Sequence, residues 1–105
     1  MSGILGQLDP ASGSWFDLYT VPVQTIATVR VIVTNRAAAA SSFRVAASKN
    51  GDAIADLHHI ATDKEVLAND TGSTVGFVIS GGDVIRVWSG NGSISFTATG
   101  ETRAA

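Results

Sequence analysis

Residues 26–34, with the sequence IATVRVIVT, carry the strongest indication of the fold. The segment is rich in β-branched residues, which favour the pleated surface of a β-strand. Valines at positions 29, 31 and 33 give it one apolar face, and Ile32 makes the opposite face partly apolar, because successive side chains of a strand point to opposite sides. We therefore predict a strand that lies centrally in a sandwich or is covered by a neighbouring subunit.

The same two-residue period recurs along the chain and is interrupted by turns rich in Gly, Asn and Asp. Strands that recur about every ten residues are typical of sandwiches and barrels. We predict one all-β domain over residues 1–105, an antiparallel β-sandwich that is jelly-roll-like or Ig-like, with about seven or eight strands. The Gly-containing turns at 80–82 and 90–92 are interpreted as hairpin chemistry, and the tail at about 100–105 is expected to be flexible.

Two further details of the strands are predicted from the pattern. Residues 57–61 and 65–68 are expected to form two short strands, and residues 73–79 to form one. The core is predicted from residues that keep the same parity within their strands. These residues are Phe16, Leu18, Val29, Val31, Phe43, Val45, Phe77, Ile79, Ile85, Val87, Ile94 and Phe96.

The composition excludes several classes of function. Net charge is −2, and the basic residues are scattered singly, so we expect no nucleic-acid partner. No apolar run approaches the length of a transmembrane helix, so we expect no membrane association. Cysteine is absent, which excludes disulfides and thiolate chemistry and suits synthesis in a reducing cytoplasm. Only 15% of residues are charged, so the surface loses little hydration when it packs against protein.

No motif for catalysis or for a cofactor is present. His58 and His59 form the only histidine pair, but adjacent side chains in a strand point to opposite faces and do not share one metal. The serines do not form a Gly-x-Ser-x-Gly elbow, and each Gly-rich turn leads into another strand rather than a helix. We therefore expect no enzyme activity, no cofactor and no metal, and we interpret the histidines as part of a polar edge strand or a subunit contact.

Several side chains are candidates for a protein interface. If Ile85 and Val87 face the core, then Val84, Arg86 and Trp88 face outward, and Trp is enriched at interfaces. The opposite register would place Trp88 inside. The full set of candidate interface residues is Trp88, Val84, Arg86, Ile32, His58 and His59.

Few devices that block sheet edges are visible in the sequence, namely Pro22 and Lys64, so we also expect a closed homo-oligomer.

Five short segments of the chain resemble a known group of proteins. They are DLYTVP at residues 17–22, VIVTNR at 31–36, FRVA at 43–46, LANDT at 67–71 and GDVIRVW at 82–88. Together they resemble small virion proteins encoded by tailed bacteriophages, and the resemblance covers about residues 5–100. The matching motifs are structural turns and strands without catalytic groups. The chain departs from the pattern at Val23-Gln24, where a Gly-containing turn is common, and at residues 58–60, where aromatic residues are frequent.

The resemblance implies a structural role in the virion, after synthesis in the host cytoplasm. The first expectation is a capsid decoration or cement protein that binds itself and other virion proteins, such as the major capsid protein. The alternative is a neck, tail or fibre-base accessory subunit. A third hypothesis, of a different class, is a small carbohydrate-binding module for host attachment that would use Trp15, Tyr19 and Trp88.

Overall fold

A computed structural model describes residues 2–9, 13–49, 59–74, 76–91 and 93–104 of the protein. These residues form nine strands and no α-helix. The strands are β1 (Ser2–Leu8), β2 (Trp15–Thr20), β3 (Thr25–Asn35), β4 (Ser41–Ser48), β5 (His59–Val66), β6 (Thr71–Ser73), β7 (Phe77–Ser80), β8 (Val84–Ser89) and β9 (Ile94–Ala104). The predicted all-β sandwich is confirmed, with nine strands in place of the expected seven or eight.

The strands form two antiparallel sheets that pack face to face. The first sheet has the order β1-β9-β3-β6. On the side of β3 that faces away from β9, β6 pairs with residues 32–34 and β7 pairs with residues 26–29. The second sheet has the order β2-β8-β4-β5. The prediction of a central strand is confirmed, because β3 lies between β9 and the β6 and β7 segments.

The pairing of strands is nested along the chain. β4 pairs with β5, β3 with β6 and β7, β2 with β8, and β1 with β9. The chain thus follows one long antiparallel hairpin whose successive pairs alternate between the two sheets, which is the jelly-roll arrangement rather than the Ig-like one.

This topology corrects the interpretation of the Gly-containing turns. β7 and β9 lie in the first sheet, whereas β8 lies in the second, so the connections on both sides of β8 cross between sheets and close no hairpin. Gly permits the change of direction, but burial of the apolar faces decides which sheet the next strand joins. Among the described strands, only β4 and β5 are both consecutive and paired.

The core lies between the two sheets. Phe43 on β4 meets Phe96 on β9 edge to face, with ring centroids 6.2 Å apart, and both side chains are buried. Of the predicted core residues, all are buried except Phe16 and Phe77. Phe77 is partly buried and packs against the core.

Phe16 is 37% exposed although it lies opposite the buried Val87 of β8, because β2 is an edge strand of its sheet. The register with β8 shifts between Asp17 and Tyr19, so β2 does not keep strict alternation. Leu18 is buried and Tyr19 also packs against the core. The prediction that Phe16 is buried is wrong, and the bulge brings Tyr19 to the core side together with Leu18.

Two strand predictions are corrected by the pairing. The sequence predicts two short strands at 57–61 and 65–68, but the structure has one continuous strand, β5, from His59 to Val66. The register of β5 shifts twice against β4, so the residues between the two expected strands remain part of β5. Residues 57 and 58 lie outside the described part. The single strand expected at 73–79 is divided into β6 and β7. At the break, the hydroxyl of Thr74 accepts a hydrogen bond from the backbone N–H of Val31 at 3.1 Å. A side-chain contact therefore replaces part of the backbone ladder.

The C-terminal tail is also corrected. Residues 101–104 belong to β9 and pair with residues 25–28 of β3, so the region expected to be flexible extends the longest ladder of the fold. The backbone groups of β3 in this region gain hydrogen-bond partners from the tail, which stabilises it despite its polar sequence.

Asn35 at the end of β3 is fully buried and organises the neighbouring loop. Its side-chain Nδ2 donates to the carbonyl oxygens of Ala39 at 2.9 Å and of Val66 at 3.2 Å. Its Oδ1 accepts a hydrogen bond from the backbone N–H of Ala37 at 3.0 Å. One amide side chain thus ties the 36–40 loop to the end of β5.

The edge strands of both sheets are irregular. β1 has a register shift between Ile4 and Gly6, β2 has the bulge described above, and β5 has two shifts against β4. The remaining edge is divided between β6 and β7. Bulges and short edge strands hinder pairing with another chain. The expectation that the edges lack such protection is therefore wrong, and the faces of the sandwich become the better candidates for contacts.

Candidate interaction surfaces

The outer face of the second sheet carries a cluster of Trp15, Asp17, Arg44, Arg86 and Trp88, which we call the tryptophan–arginine cluster. Trp15 on β2 lies directly opposite Trp88 on β8, and both are partly exposed. On the other side of Trp88 lies Arg44 of β4, whose guanidinium carbon is 4.2 Å from the centre of the Trp88 ring. Such a cation–π contact holds the arginine flat against the indole.

An ion pair stands beside the two tryptophans. Arg86 Nε donates to Asp17 Oδ1 at 2.8 Å, across the β2–β8 pair and next to the bulge in β2. Four-fifths of the Arg86 side chain is covered, whereas Asp17 is largely exposed. The ion pair fixes the orientation of the Arg86 guanidinium, a planar group that suits directed hydrogen bonds at protein interfaces. Arginine and aromatic residues are both enriched among the residues that contribute most to binding at such interfaces.

The outward orientation predicted for β8 is therefore correct, and the inverted register is excluded. Ile85 and Val87 are fully buried, while Arg86 and Trp88 lie on the opposite face. Val84 shares that orientation but is only 6% exposed, so it offers almost no interface area. Val84 is therefore a poor interface candidate, which corrects the prediction. A side chain that points outward from a sheet is accessible only where no other residues pack over it.

The centre of the same face is partly covered. Ala46 and Ser48 on β4 point away from the core, and both are buried. Within the described residues, the hydroxyl of Ser48 has no hydrogen-bond partner. The accessible part of the face is therefore the end that holds the tryptophan–arginine cluster.

The other predicted interface residues are the two histidines and Ile32. His58 lies outside the described residues. His59 is described only as a backbone position of β5, opposite Ala46 of β4. Ile32 lies on the outer face of the first sheet, away from Trp88, and is partly buried.

Tyr19 does not join the two tryptophans. Its register position is opposite Ile85, and its ring packs against the core. Burial raises the pKa of its hydroxyl above the ordinary value of 10.0, because the charged form loses solvation. The set of Trp15, Tyr19 and Trp88 expected for sugar binding is thus reduced to the two tryptophans.

The outer face of the first sheet has a different chemistry, and we call it the hydroxyl face. Its side chains come from alternate positions of five strands. Half of them are Ser or Thr, and the others are four apolar residues, three charged residues and Gln7. They are Ile4, Gln7, Ile26, Thr28, Arg30, Ile32, Thr34, Thr71, Ser73, Val78, Ser80, Ser95, Thr97, Thr99, Glu101 and Arg103. Ile4 on β1 and Val78 on β7 are 63% and 65% exposed and are the most exposed apolar side chains of this face.

The hydroxyl face contains an open depression of about 460 Å³, lined by Arg30, Ile32, Thr71, Gly72 and Ser73, at the side of β3 that pairs with β6. At the far end of the face, Arg36 bonds Asp9 at 2.6 Å. Broad depressions without enclosed volume suit a flat protein surface better than a small molecule.

Within the described part of the chain, no group of three or more metal-ligating side chains is present. No helix in that part is long and apolar enough to span a membrane. No protein-family model, curated protein or solved structure matches the chain.

Sequence reasoning identified Trp88 and Arg86 as interface candidates and Trp15 as a sugar-binding candidate, but it missed Asp17 and Arg44. Trp15, Asp17 and Arg44 come to the same site only through the pairing of β2 and β4 with β8. A signal was present in the alternation of β4, where Arg44 lies between buried Phe43 and Val45.

Proposed function

We propose that the chain is a non-enzymatic structural protein of a tailed-bacteriophage virion, and that it serves as a capsid decoration or cement protein. It is made in the host cytoplasm and binds other virion proteins, above all the major capsid protein, as well as further copies of itself. The alternative position is the neck, tail or fibre base.

The tryptophan–arginine cluster is the observation that carries this proposal. Trp and Arg are enriched among the residues that contribute most to protein–protein binding. Here two partly exposed tryptophans lie side by side, one of them beneath an arginine, with a second arginine held by Asp17. Pre-oriented side chains lose less entropy when they bind, which favours their use as anchors.

The two faces of the sandwich supply a reason for a cement role. The tryptophan–arginine cluster and the hydroxyl face lie on opposite sides of the same rigid domain. A domain with binding surfaces on opposite sides joins two neighbours and needs no catalytic group. The jelly-roll topology occurs in capsid and lectin domains among others, so it supports this role by analogy only.

The position in the particle tests the proposal directly. Purified virions of the encoding phage would be analysed by quantitative mass spectrometry and by three-dimensional reconstruction. A decoration protein is expected on the head in a copy number comparable with that of the major capsid protein. A small copy number at the vertex, neck or tail would support the alternative, and absence from purified particles would refute both.

Binding to isolated heads tests the surface. Trp88→Asp is expected to weaken binding at least tenfold, because loss of one buried aromatic anchor costs about 2 kcal/mol or more. The substitution leaves the fold intact, since Arg44 and Arg86 flank the new carboxylate. The matched control is Val23→Asp, the same kind of change at an apolar residue that is 81% exposed and lies in the turn after β2. Equal binding by both variants would remove the cluster from the proposal.

The non-enzymatic part has its own test. His58→Ala and His59→Ala are expected to abolish no hydrolytic or metal-dependent activity. Zinc bound stoichiometrically to protein purified without added metal, and lost in either variant, would contradict this expectation.

A carbohydrate-binding module is the second candidate, and the Trp15–Trp88 pair favours it. Sugars stack on exposed indole rings, and Asp17 and Arg86 lie beside the pair. However, Arg44 already occupies one face of the Trp88 ring. A glycan-array screen with wild type and Trp15→Ala separates the candidates, because specific glycan binding lost in the variant would favour this second function.

A further inference from the structure

Two opposite charges near the middle of the hydroxyl face have no partner among the residues that the structure describes. Arg30 on β3 lies opposite Thr99 of β9, and Glu101 lies two residues further along β9, opposite Thr28. Both charged side chains are exposed. Among the described residues, neither forms an ion pair within 4.0 Å or another recorded interaction. The face thus presents a base and an acid on adjacent strands, as diagonal neighbours two residues apart along the strand direction.

This arrangement is complementary to itself. A two-fold axis that lies in the plane of contact and passes midway between Arg30 and Glu101 brings each residue onto its counterpart in a second copy. Interfaces with two-fold symmetry place the same patch against itself, so that every contact occurs twice. Two Arg30–Glu101 pairs would therefore form from charges that are unpaired in one copy.

The dimensions of the face also suit a second copy. β3 has 11 residues, so it is about 36 Å long, and four strand positions span about 19 Å. The product, about 700 Å², is the upper limit of the face, because β1, β6 and β7 are shorter than β3, and it approaches the roughly 800 Å² that each partner contributes to a standard protein interface. Half of the residues on the face are Ser and Thr, whose hydration is less costly to remove than that of ions.

The edges of the sheets disfavour the other common route to self-association. Each edge strand is bulged, irregular or divided, so edge-to-edge pairing of two copies is hindered. Contact through a face is unaffected by these irregularities. Ile4 and Val78, which are the most exposed apolar side chains of the face, would be covered by such contact.

We propose that the hydroxyl face binds a second copy of this chain across a two-fold axis, with reciprocal pairs between Arg30 of one copy and Glu101 of the other. The inference rests on the proposed role as an assembly subunit and names one of its contacts. Other virion proteins bind the opposite side of the sandwich, at the tryptophan–arginine cluster.

Sedimentation velocity of the full chain over a range of concentrations tests the inference. Wild type is expected to form dimers with a Kd in the micromolar range or tighter. Arg30→Glu and Glu101→Arg are each expected to weaken dimerisation at least about 100-fold, because each places like charges together twice in the interface. The double variant with both charges exchanged is expected to return to within about tenfold of wild type, because the pairs are restored with opposite polarity.

The control variant is Lys64→Glu, the same charge reversal at an exposed residue on the edge strand β5 of the second sheet. It is expected to leave dimerisation unchanged. Circular dichroism of each variant verifies the strand content, and the exchanged double variant retains the composition of wild type.

Three results would overturn the inference: wild type that stays monomeric at several hundred micromolar, single variants that dimerise as wild type does, or an exchange that fails to restore the dimer. Binding of Trp88→Asp to heads is measured separately, so the proposed function and this contact can fail independently.

Discussion

Gly100 is predicted to be indispensable for the longest ladder of the fold. It lies in β9 opposite Val29 of β3, with a φ of 155° that L-residues rarely adopt. A Cβ at this position would overlap the carbonyl oxygen of Thr28, and it would stand 2.9 Å from the carbonyl carbon of Thr28 and 3.1 Å from Cα of Val29. All these atoms belong to the backbone, so no side-chain rotation relieves the overlap. Gly100→Ala must therefore separate β3 from β9 locally.

The cost is the sum of two effects. The backbone conformation costs about 1–2 kcal/mol for a residue with a Cβ. Separation of the strands removes about two ladder hydrogen bonds, at roughly 1 kcal/mol each. We expect a loss of about 3–4 kcal/mol, a large part of the roughly 5–15 kcal/mol that stabilises a domain. The corresponding decrease in Tm exceeds about 10 °C for a chain of this size.

Urea denaturation and thermal melting, both followed by far-ultraviolet circular dichroism, measure the effect. Gly76→Ala is the matched control, since a Cβ there meets no atom within 4 Å and the backbone needs no positive φ. That variant is expected to keep or slightly raise stability, because Ala restricts the unfolded chain. A Gly100→Ala protein within about 1 kcal/mol of wild type would refute the reasoning.

Three further predictions concern the core and the loops. Phe43→Ala and Phe96→Ala are each expected to lower the free energy of unfolding by about 3–5 kcal/mol, because each removes a buried ring from the centre of the sandwich. The control Val78→Ala, at an exposed site, should change it by less than about 1 kcal/mol. A loss below about 1 kcal/mol at both phenylalanines would contradict the core assignment. Asn35→Ala is expected to cost about 2–3 kcal/mol in urea denaturation, since it leaves buried backbone groups without partners; a neutral result would show that water replaces the amide. The raised pKa of Tyr19 means that the unfolded chain releases this proton first, so stability is complete below pH 10 and is expected to fall as the pH rises above it; Tyr19→Phe should flatten this part of the stability profile, and an unchanged profile would contradict the assignment.

The candidate surfaces were only partly predictable from the sequence. Alternation along β8 identified Trp88 and Arg86 as outward residues, because orientation relative to the next residue is a local property of a strand. The neighbours of Trp88 come from β2 and β4, which are distant in sequence, so the tryptophan–arginine cluster depends on strand order. Arg30 and Glu101 lie on the same face because residues 101–104 continue β9 alongside β3. The sequence predicts a flexible tail there, so this placement was not foreseen.

Strand content, the all-β class and most of the core were determined by the sequence itself. A two-residue period decides which side chains share a face, and the valines of β3, the buried apolar residues of β9 and the pair Ile85 and Val87 of β8 follow it. Where a bulge inserts one residue, as in β2, the alternation loses its phase, and the consecutive residues Leu18 and Tyr19 both contact the core.

Only the tertiary structure decided which strands pair and which sheet each one joins. Gly residues around β8 mark where the chain can change direction, but they do not distinguish a hairpin from a crossing between sheets. Whether a strand forms a hairpin or crosses to the other sheet depends on burying the apolar faces of all nine strands together. The nested pairing buries them because successive strand pairs alternate between the two sheets. The same roll separates the hydroxyl face from the tryptophan–arginine cluster, because distant strands are paired by the whole fold and not by any local segment.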